Sequence, residues 1–349
     1  MSAPSAGQAA AELLRRQRAR TSLAEFSQSI AIPGVPLPGQ DEMDDMAPPS
    51  TARLVERTPT RFAPIETRVA AHHLLMMERI QKCIQTPRGR LMIFAPPGSA
   101  KSTYASVVAP AWIMGAKPNQ QIIMASYATG IAAKQSRKVR AVVRQPAYSN
   151  LWAERPKLLD DQRAVDDWSL TNGSTLMAAG LLAGITGNRA DGIIIDDPLA
   201  NREQADSATI REKVYQEYID TAMTRAKPSM WAILIMTRWH ELDLCGMILP
   251  PDYAGESGII RGRDGQDWDV LCIQAKCERE DDPLGRKIGD YLWPEWFSRE
   301  HWTTWENNPM ASRTWSALYQ QRPAPDVGIF FNREMFGRYD PHKPRVDAA

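Results

Sequence analysis

No stretch of this chain approaches the ~18 consecutive apolar residues that a membrane-crossing helix needs, and the N-terminus has no apolar core of the kind that marks a secretory signal. The expectation is therefore a soluble protein of the cytoplasm with no membrane contact. Cysteine is scarce. Cys83, Cys245, Cys272 and Cys277 form no Cys-x-x-Cys pair, and Cys272 and Cys277 have no histidine at metal-ligand spacing, so the sequence argues for reduced, buried thiols rather than a zinc site. Charge of one sign is missing too. Lys plus Arg number 42 against 41 Asp plus Glu, so no overall basic field announces nucleic acid, and any contact with DNA has to come from local patches. With 349 residues and 43% apolar content the chain can bury one large core, and its length fits about two domains.

One further absence is local. Leu91-Met-Ile-Phe94 reads as an apolar strand, and Ala95-Pro-Pro-Gly-Ser-Ala-Lys-Ser-Thr103 as a tight loop with Lys-Ser opening a helix. That is the layout of a phosphate-binding loop, in which backbone N–H groups at a helix N-terminus cradle phosphate oxygens. Lys101 would reach the β- and γ-phosphates, and Ser102 would ligate Mg²⁺. Yet Ala95 and Ala100 stand where the pattern has glycines, and only Gly98 lies within the loop. Alanine tolerates positive φ poorly, and a plain strand-turn-helix is the competing reading.

A second motif favours the nucleotide. Asp191-Gly-Ile-Ile-Ile-Asp-Asp-Pro198 is an aliphatic run ending in two carboxylates, the form of a buried parallel strand that delivers acids to its C-terminal edge, where open α/β sheets bind ligands. Asp196 would hold Mg²⁺ and Asp197 would orient or deprotonate the attacking water. The alternative makes Asp197 the N-cap of a helix starting at Pro198.

The rest of the chain alternates similarly. Residues 1–60 carry seven prolines, the basic cluster Arg15, Arg16, Arg18 and Arg20, and the acidic cluster Asp41, Glu42, Asp44 and Asp45; they read as a flexible arm with a short helix near 9–20. A helix is expected over 65–85, a helix after Lys101 to about 115, a strand over 121–127 and a helix over 130–144 whose basic face is solvated. A hairpin joins 166–170 to 174–180 through Asn172-Gly173, a pair suited to a type I′ turn. A long helix over 202–225 and a buried strand over 231–238 follow. A strand thus intervenes between phosphate loop and acidic strand, which predicts an α/β, RecA-like (additional-strand) P-loop ATPase with a mainly parallel central sheet flanked by helices. The core is expected over 61–254. Residues 255–349, with five tryptophans between Trp293 and Trp315, are read as a small lid or linker subdomain whose aromatics pack rather than stack on bases.

Four ordered motifs carry a family resemblance: the loop at 95–103; Gly184-Ile-Thr-Gly-Asn-Arg-Ala-Asp191 leading into the acidic strand; Thr237-Arg-Trp-His-Glu-Leu-Asp-Leu244; and Tyr319-Gln-Gln-Arg-Pro323. Together they resemble the large terminase subunit of tailed bacteriophages over roughly residues 65–339. In that family the alanine-containing loop is a familiar variant. The resemblance implies an ATP-driven, Mg²⁺-dependent motor that threads double-stranded DNA through a portal protein into an empty capsid. Its other expected partner is the small terminase subunit, and it would form a homo-oligomeric ring, pentameric where the family is best understood. It would work in the host cytoplasm and be absent from the mature virion. By carry-over, Pro97, Gly98, Ser99, Ala100, Lys101, Ser102 and Thr103 bind nucleotide. Ser102 and Asp196 hold the metal, and Lys101 and Asp197 are catalytic, Asp197 standing where many members have Glu. Thr237 matches the motif that couples γ-phosphate loss to DNA-gripping loops. An arginine supplied in trans, worth ~10³ to 10⁵ in rate in related systems, is expected, with Arg189 first candidate and Arg137 and Arg140 next. His240 and Asp243 are read as structural. The family's nuclease domain, which Arg338-Tyr-Asp-Pro341 would approach, is expected to be absent, and with it nuclease activity. A RecA-like helicase or DNA translocase and a catalytically inert nucleotide-binding scaffold are the alternatives.

Overall fold

The protein is described by a computed structural model covering residues 6–38, 59–159, 164–183, 185 and 189–323. The acidic cluster at 41–45, part of the 184–191 motif and the 338–341 segment lie outside these residues.

Among the described residues, ten strands fall into two sheets. β1 (Pro33–Pro36) and β2 (Phe62–Pro64) make a small antiparallel pair. The other eight are β3 (Arg90–Phe94), β4 (Gln121–Ser126), β5 (Asp167–Ser169), β6 (Thr175–Gly180), β7 (Ala190–Asp196), β8 (Ala226–Met236), β9 (Gly258–Arg261) and β10 (Asp267–Cys272), in the spatial order β5-β6-β4-β7-β8-β3-β10-β9. From β6 to β10 every pairing is parallel; only the edge strands β5 and β9 run antiparallel to their neighbours. β8 lies between β7 and β3, so the expected additional strand separates the phosphate loop from the acidic strand.

The central strands read as unbroken apolar runs because both faces are covered. The period of two sorts their side chains. Leu91, Ile93, Ile122, Met124, Ile194, Ile233 and Ile235 enter one core, and Met92, Phe94, Ile123, Ile193, Ile195, Leu234 and Met236 the other. The first core is roofed by helices α1 (Ala6–Thr21), α2 (Leu23–Ser27) and α3 (Ala71–Gln85), by a π-helical turn at Thr103–Val108 continuing into α4 (Ala109–Ala116), and by α5 (Thr129–Val143). α6 (Pro146–Leu151) closes that side. The second is covered by α7 (Arg202–Asp206), α8 (Ala208–Glu217) and α9 (Leu244–Ile248).

Several expectations are corrected. The described part of the arm is folded. Ala19, Leu23 and Phe26 are fully buried, Phe26 packs against Tyr148 and Trp152 with ring centroids 6.2 and 5.9 Å apart, and the Trp112 indole donates to the Ala19 carbonyl at 3.2 Å. Low complexity concealed three well-spaced anchors. The C-terminal boundary also moves, because β9 and β10 belong to the main sheet, with β10 in parallel register on β3. The 202–225 segment breaks at Ser207, whose hydroxyl caps α8 by accepting from Ile210 N. At the hairpin, Gly173 N donates to Leu170 O at 3.0 Å, Leu170 N to Ser174 O at 2.8 Å, and Gly173 alone takes positive φ, +80°. This is a three-residue loop with a glycine bulge, not the two-residue type I′ turn. On α5, Arg137 and Arg140 are buried rather than solvated, and the Arg140 guanidinium lies 5.9 Å from the Trp168 ring centroid.

After β10 the chain returns across the sheet's C-terminal edge. Ile273 N donates to Phe94 O at 2.8 Å and Ala275 N to Tyr319 O at 2.8 Å. α10 (Arg299–Glu306) buries Trp302 completely, and the rings of Trp302, Trp305 and Trp315 gather around Tyr319 at 6.0, 5.2 and 5.5 Å. Trp293, Trp302 and Trp315 are buried and serve packing, while Trp296 is exposed.

Candidate active site

Parallel strands end together, so the register decides what meets at the sheet's edge. Phe94 pairs with Met236 and Asp196 with Ile235, which brings the loop after β3, Asp196 at the end of β7 with Asp197 after it, and Thr237 after β8 to one line. Asp196 shares the parity of Ile194 and faces the helix that follows the phosphate loop. There the Ser102 hydroxyl donates to Asp196 Oδ1 at 2.9 Å and the Ser106 hydroxyl to Oδ2 at 2.7 Å. Asp196 is only 5% exposed. Burial pushes its carboxyl pKa up, as does the neighbouring Asp197, while Lys101 and the two hydroxyls pull it back down.

Lys101, 7% exposed, donates its ammonium to Thr237 Oγ1 at 2.9 Å and lies 3.5 Å from Asp197 Oδ2. Thr237 N in turn donates to Asp197 Oδ1 at 3.1 Å. Asp197 therefore caps no helix at Pro198; the next helix, α7, is capped by Asn201. Its backbone takes φ +45°, a left-handed conformation that aspartate tolerates better than most residues. That is a physical reason for the shorter acid at this position. The loop itself bends through two left-handed residues, Gly98 at +80° and Ala100 at +59°. Ala100 adopts the conformation that the missing glycine would have made easy. At Gly98 a Cβ would also stand 3.1 Å from the Phe297 ring.

Arg189 is not brought to this cluster. It is exposed and immediately precedes β7, whose length separates it from Asp196 by roughly 20 Å along the strand at ~3.3 Å per residue. Within its own chain it occupies the opposite edge of the sheet. Arg137 and Arg140 are held inside α5's packing. His240 Nδ1 accepts from Leu242 N at 2.9 Å, and Asp243 pairs with buried Arg238 at 2.8 Å while capping α9. Both are structural, as expected.

Two residues escaped the sequence reading. Ser106 follows Ser102 by four positions, a spacing that puts two hydroxyls on one helix face. His73 Nε2 lies 3.2 Å from the Ser99 carbonyl, tying α3 to the phosphate loop, and nothing in the sequence marks that contact. Burial drives His72 down to about 3 and His73 to about 4, with the adjacent ring of His73 adding to the effect on His72.

Ser102 and Asp196 supply hard oxygen donors side by side, and among the described residues no group of three or more potential ligands forms a closed metal cage. This donor set fits Mg²⁺, which takes one or two protein ligands and shares the rest with phosphate oxygens and water.

Residues 92–338 match the family described as the large terminase subunit, T4-like virus type, N-terminal. The match covers well over half of the chain. This protein belongs to the terminase large-subunit family. Among solved structures the ATPase domain of the Thermus phage P74-26 large terminase is similar in two forms. A point mutant is 17% identical, with 74% of this chain and 95% of that chain covered and a TM-score of 0.46. The unmutated domain is 17% identical, with 74% and 94% covered and a TM-score of 0.44. A large terminase from a thermophilic bacteriophage is 12% identical, with 69% of this chain and 51% of that chain covered and a TM-score of 0.35. No curated protein matches. Within this terminase large-subunit match lie the loop at 95–103, the acidic strand and the Thr237 strand.

Proposed function

We propose that this chain is the ATP-hydrolysing motor of a viral packaging terminase, driving double-stranded DNA through a portal protein into the procapsid. The observation that carries the reading is the convergence of Lys101, Ser102, Asp196, Asp197 and Thr237 on one sheet edge. Residues 97–103 cradle the phosphates with backbone N–H groups and the Lys101 ammonium. Ser102 and Asp196 hold Mg²⁺, which supplies charge neutralisation on the phosphates when bound.

Asp197 is the positioned base. One carboxylate oxygen is pinned by Thr237 N and the other is left beside Lys101, so the carboxylate is oriented before substrate arrives and can hold a water and accept its proton. When Lys101 engages phosphate it leaves Thr237 and gives up a contact that joins the loop to the end of β8, where the Thr237 hydroxyl also donates to the Ala95 carbonyl at 3.4 Å. Loss of the γ-phosphate restores the Lys101 contact, and this gives Thr237 a coupling role. The arginine that neutralises the transition state comes from the neighbouring subunit of a ring, pentameric in the reading proposed; Arg189, exposed at the far edge, is available to a neighbour and not to its own site. The small terminase subunit delivers the DNA, and the assembly works in the host cytoplasm and leaves the filled capsid.

The test is protection of linear double-stranded DNA from external nuclease by portal-bearing procapsids supplied with the small subunit, ATP and this chain. Protection is expected with the wild type and none with Lys101→Ala. Equal protection by the two proteins refutes the motor reading.

A further inference from the structure

We propose that Gln321 is a positioning residue for hydrolysis: from the C-terminal segment it holds the exit of β8, and through Thr237 it keeps Asp197 and Lys101 aligned. The inference rests on the ATPase reading above and gives a role to the Tyr319–Pro323 motif, which that reading leaves without one.

The strand ends at Met236, and the backbone N–H groups that follow need acceptors from outside the ladder. Three in succession find side chains. Thr237 N donates to Asp197 Oδ1 at 3.1 Å, Arg238 N to Gln321 Oε1 at 3.1 Å and Trp239 N to Asp243 Oδ2 at 3.3 Å. Asp197 directly follows the neighbouring strand β7 and Asp243 lies four residues on in the same loop, whereas Gln321 comes from 83 residues away. It therefore fixes the Thr237–Arg238 peptide from a separate part of the chain. On that peptide's Thr237 side stand the hydroxyl that meets Lys101 and the N–H that orients the Asp197 carboxylate.

The backbone of Gln321 points to reach as the reason for its identity. It takes φ +57°, a left-handed conformation in which asparagine or glycine is easier. Glutamine is one methylene longer than asparagine, and that length carries the amide to Arg238 N. The amide nitrogen donates to the Leu318 carbonyl, which turns the oxygen toward Arg238. The segment itself is tied to the chain after β10. Ala275 N donates to Tyr319 O at 2.8 Å, and the Gln320 amide accepts from Lys276 N and donates to Lys276 O, both at 3.0 Å. Gln320 and Gln321 are each 1% exposed, so bulk water does not replace an acceptor lost from either.

Gln321→Asn and Gln320→Asn, set beside the wild type, test the assignment. The first suits the left-handed backbone and falls short of Arg238 N. The second releases Lys276 while the segment stays held through Tyr319 O and the Gln321 contact remains. Melting temperature, ATP binding by isothermal titration and single-turnover ATP cleavage in Mg²⁺ by the full chain on portal-bearing procapsids are measured for each. Gln321→Asn is expected to cleave at least tenfold more slowly, to bind ATP within twofold of wild type and to melt no lower than Gln320→Asn. Gln320→Asn is expected to cleave within twofold of wild type. Wild-type cleavage by Gln321→Asn, loss of its ATP binding or folding along with cleavage, or an equal fall in cleavage in both variants overturns the proposal. A wild type that neither binds nor cleaves ATP would instead overturn the ATPase reading.

Discussion

Replacing Ser106 by alanine removes a hydroxyl that no sequence motif identified, and its consequence follows from the surroundings of Asp196. Each carboxylate oxygen has one hydroxyl donor, Ser102 on Oδ1 and Ser106 on Oδ2. Ser106 is fully buried, Ser102 only partly so. In Ser106→Ala, therefore, no water replaces the lost donor, and a hydrogen bond to a charged acceptor is worth about 1.5–3 kcal/mol. In Ser102→Ala solvent fills the gap, and the cost should stay below about 1 kcal/mol. Activity should run the other way, since Ser102 is the proposed metal ligand and Ser106 only steadies Asp196. Urea unfolding in metal-free buffer and Mg²⁺-dependent ATP hydrolysis, measured on both variants, give the two orderings. A Ser106→Ala protein within 0.5 kcal/mol of wild type, a margin typical of inconsequential surface substitutions, refutes the reasoning, and so does a reversal of the order.

Other outcomes follow from single contacts. Phe26→Ala should cost about 3–5 kcal/mol, as for a buried aromatic in a core; an unchanged urea midpoint would restore the flexible arm. Gly98→Ala meets both a left-handed backbone, worth about 1–2 kcal/mol against an L side chain, and the Phe297 ring, so it should lower Tm and weaken nucleotide binding, while normal affinity would mean that the loop does not hold phosphate in this form. His72 and His73 have folded-state pKa values of about 3 and 4 against an ordinary 6.5. The unfolded chain therefore binds more protons between those limits, and stability is present above pH 6.5 and lost as pH falls below it, by ~1.4 kcal/mol per pH unit for each histidine. His72→Phe should reduce the slope of stability against pH by that amount between pH 4 and 6, and an unaltered slope would contradict the assignment.

The chemistry-bearing strands were legible because burial on both faces writes itself as an aliphatic run, and acids or hydroxyls at the end of such a run mark the sheet's carboxyl edge. Asp196 and Asp197 were found that way, Lys101 and Ser102 from the loop motif and Thr237 from the family resemblance, and the structure brings the five together. Segments whose place depends on distant partners were not legible. β10 is apolar but short and follows a polar hairpin, so only its pairing with β3 reveals it as core. Leu23 and Phe26 are sparse anchors in a polar stretch, and Phe26 is buried against Tyr148 and Trp152, more than a hundred residues away in sequence. Arg189 was expected to act in trans, and its place just before β7 sets it at the far end of that strand from Asp196 of its own chain.

The central claim is that this edge of the sheet hydrolyses ATP. The direct measurement is single-turnover cleavage of ATP in Mg²⁺ by the wild-type chain on portal-bearing procapsids, beside Asp197→Ala and Lys101→Ala. Turnover by the wild type, nucleotide binding without turnover by Asp197→Ala, and loss of both by Lys101→Ala are predicted; cleavage by Asp197→Ala at the wild-type rate would contradict the account.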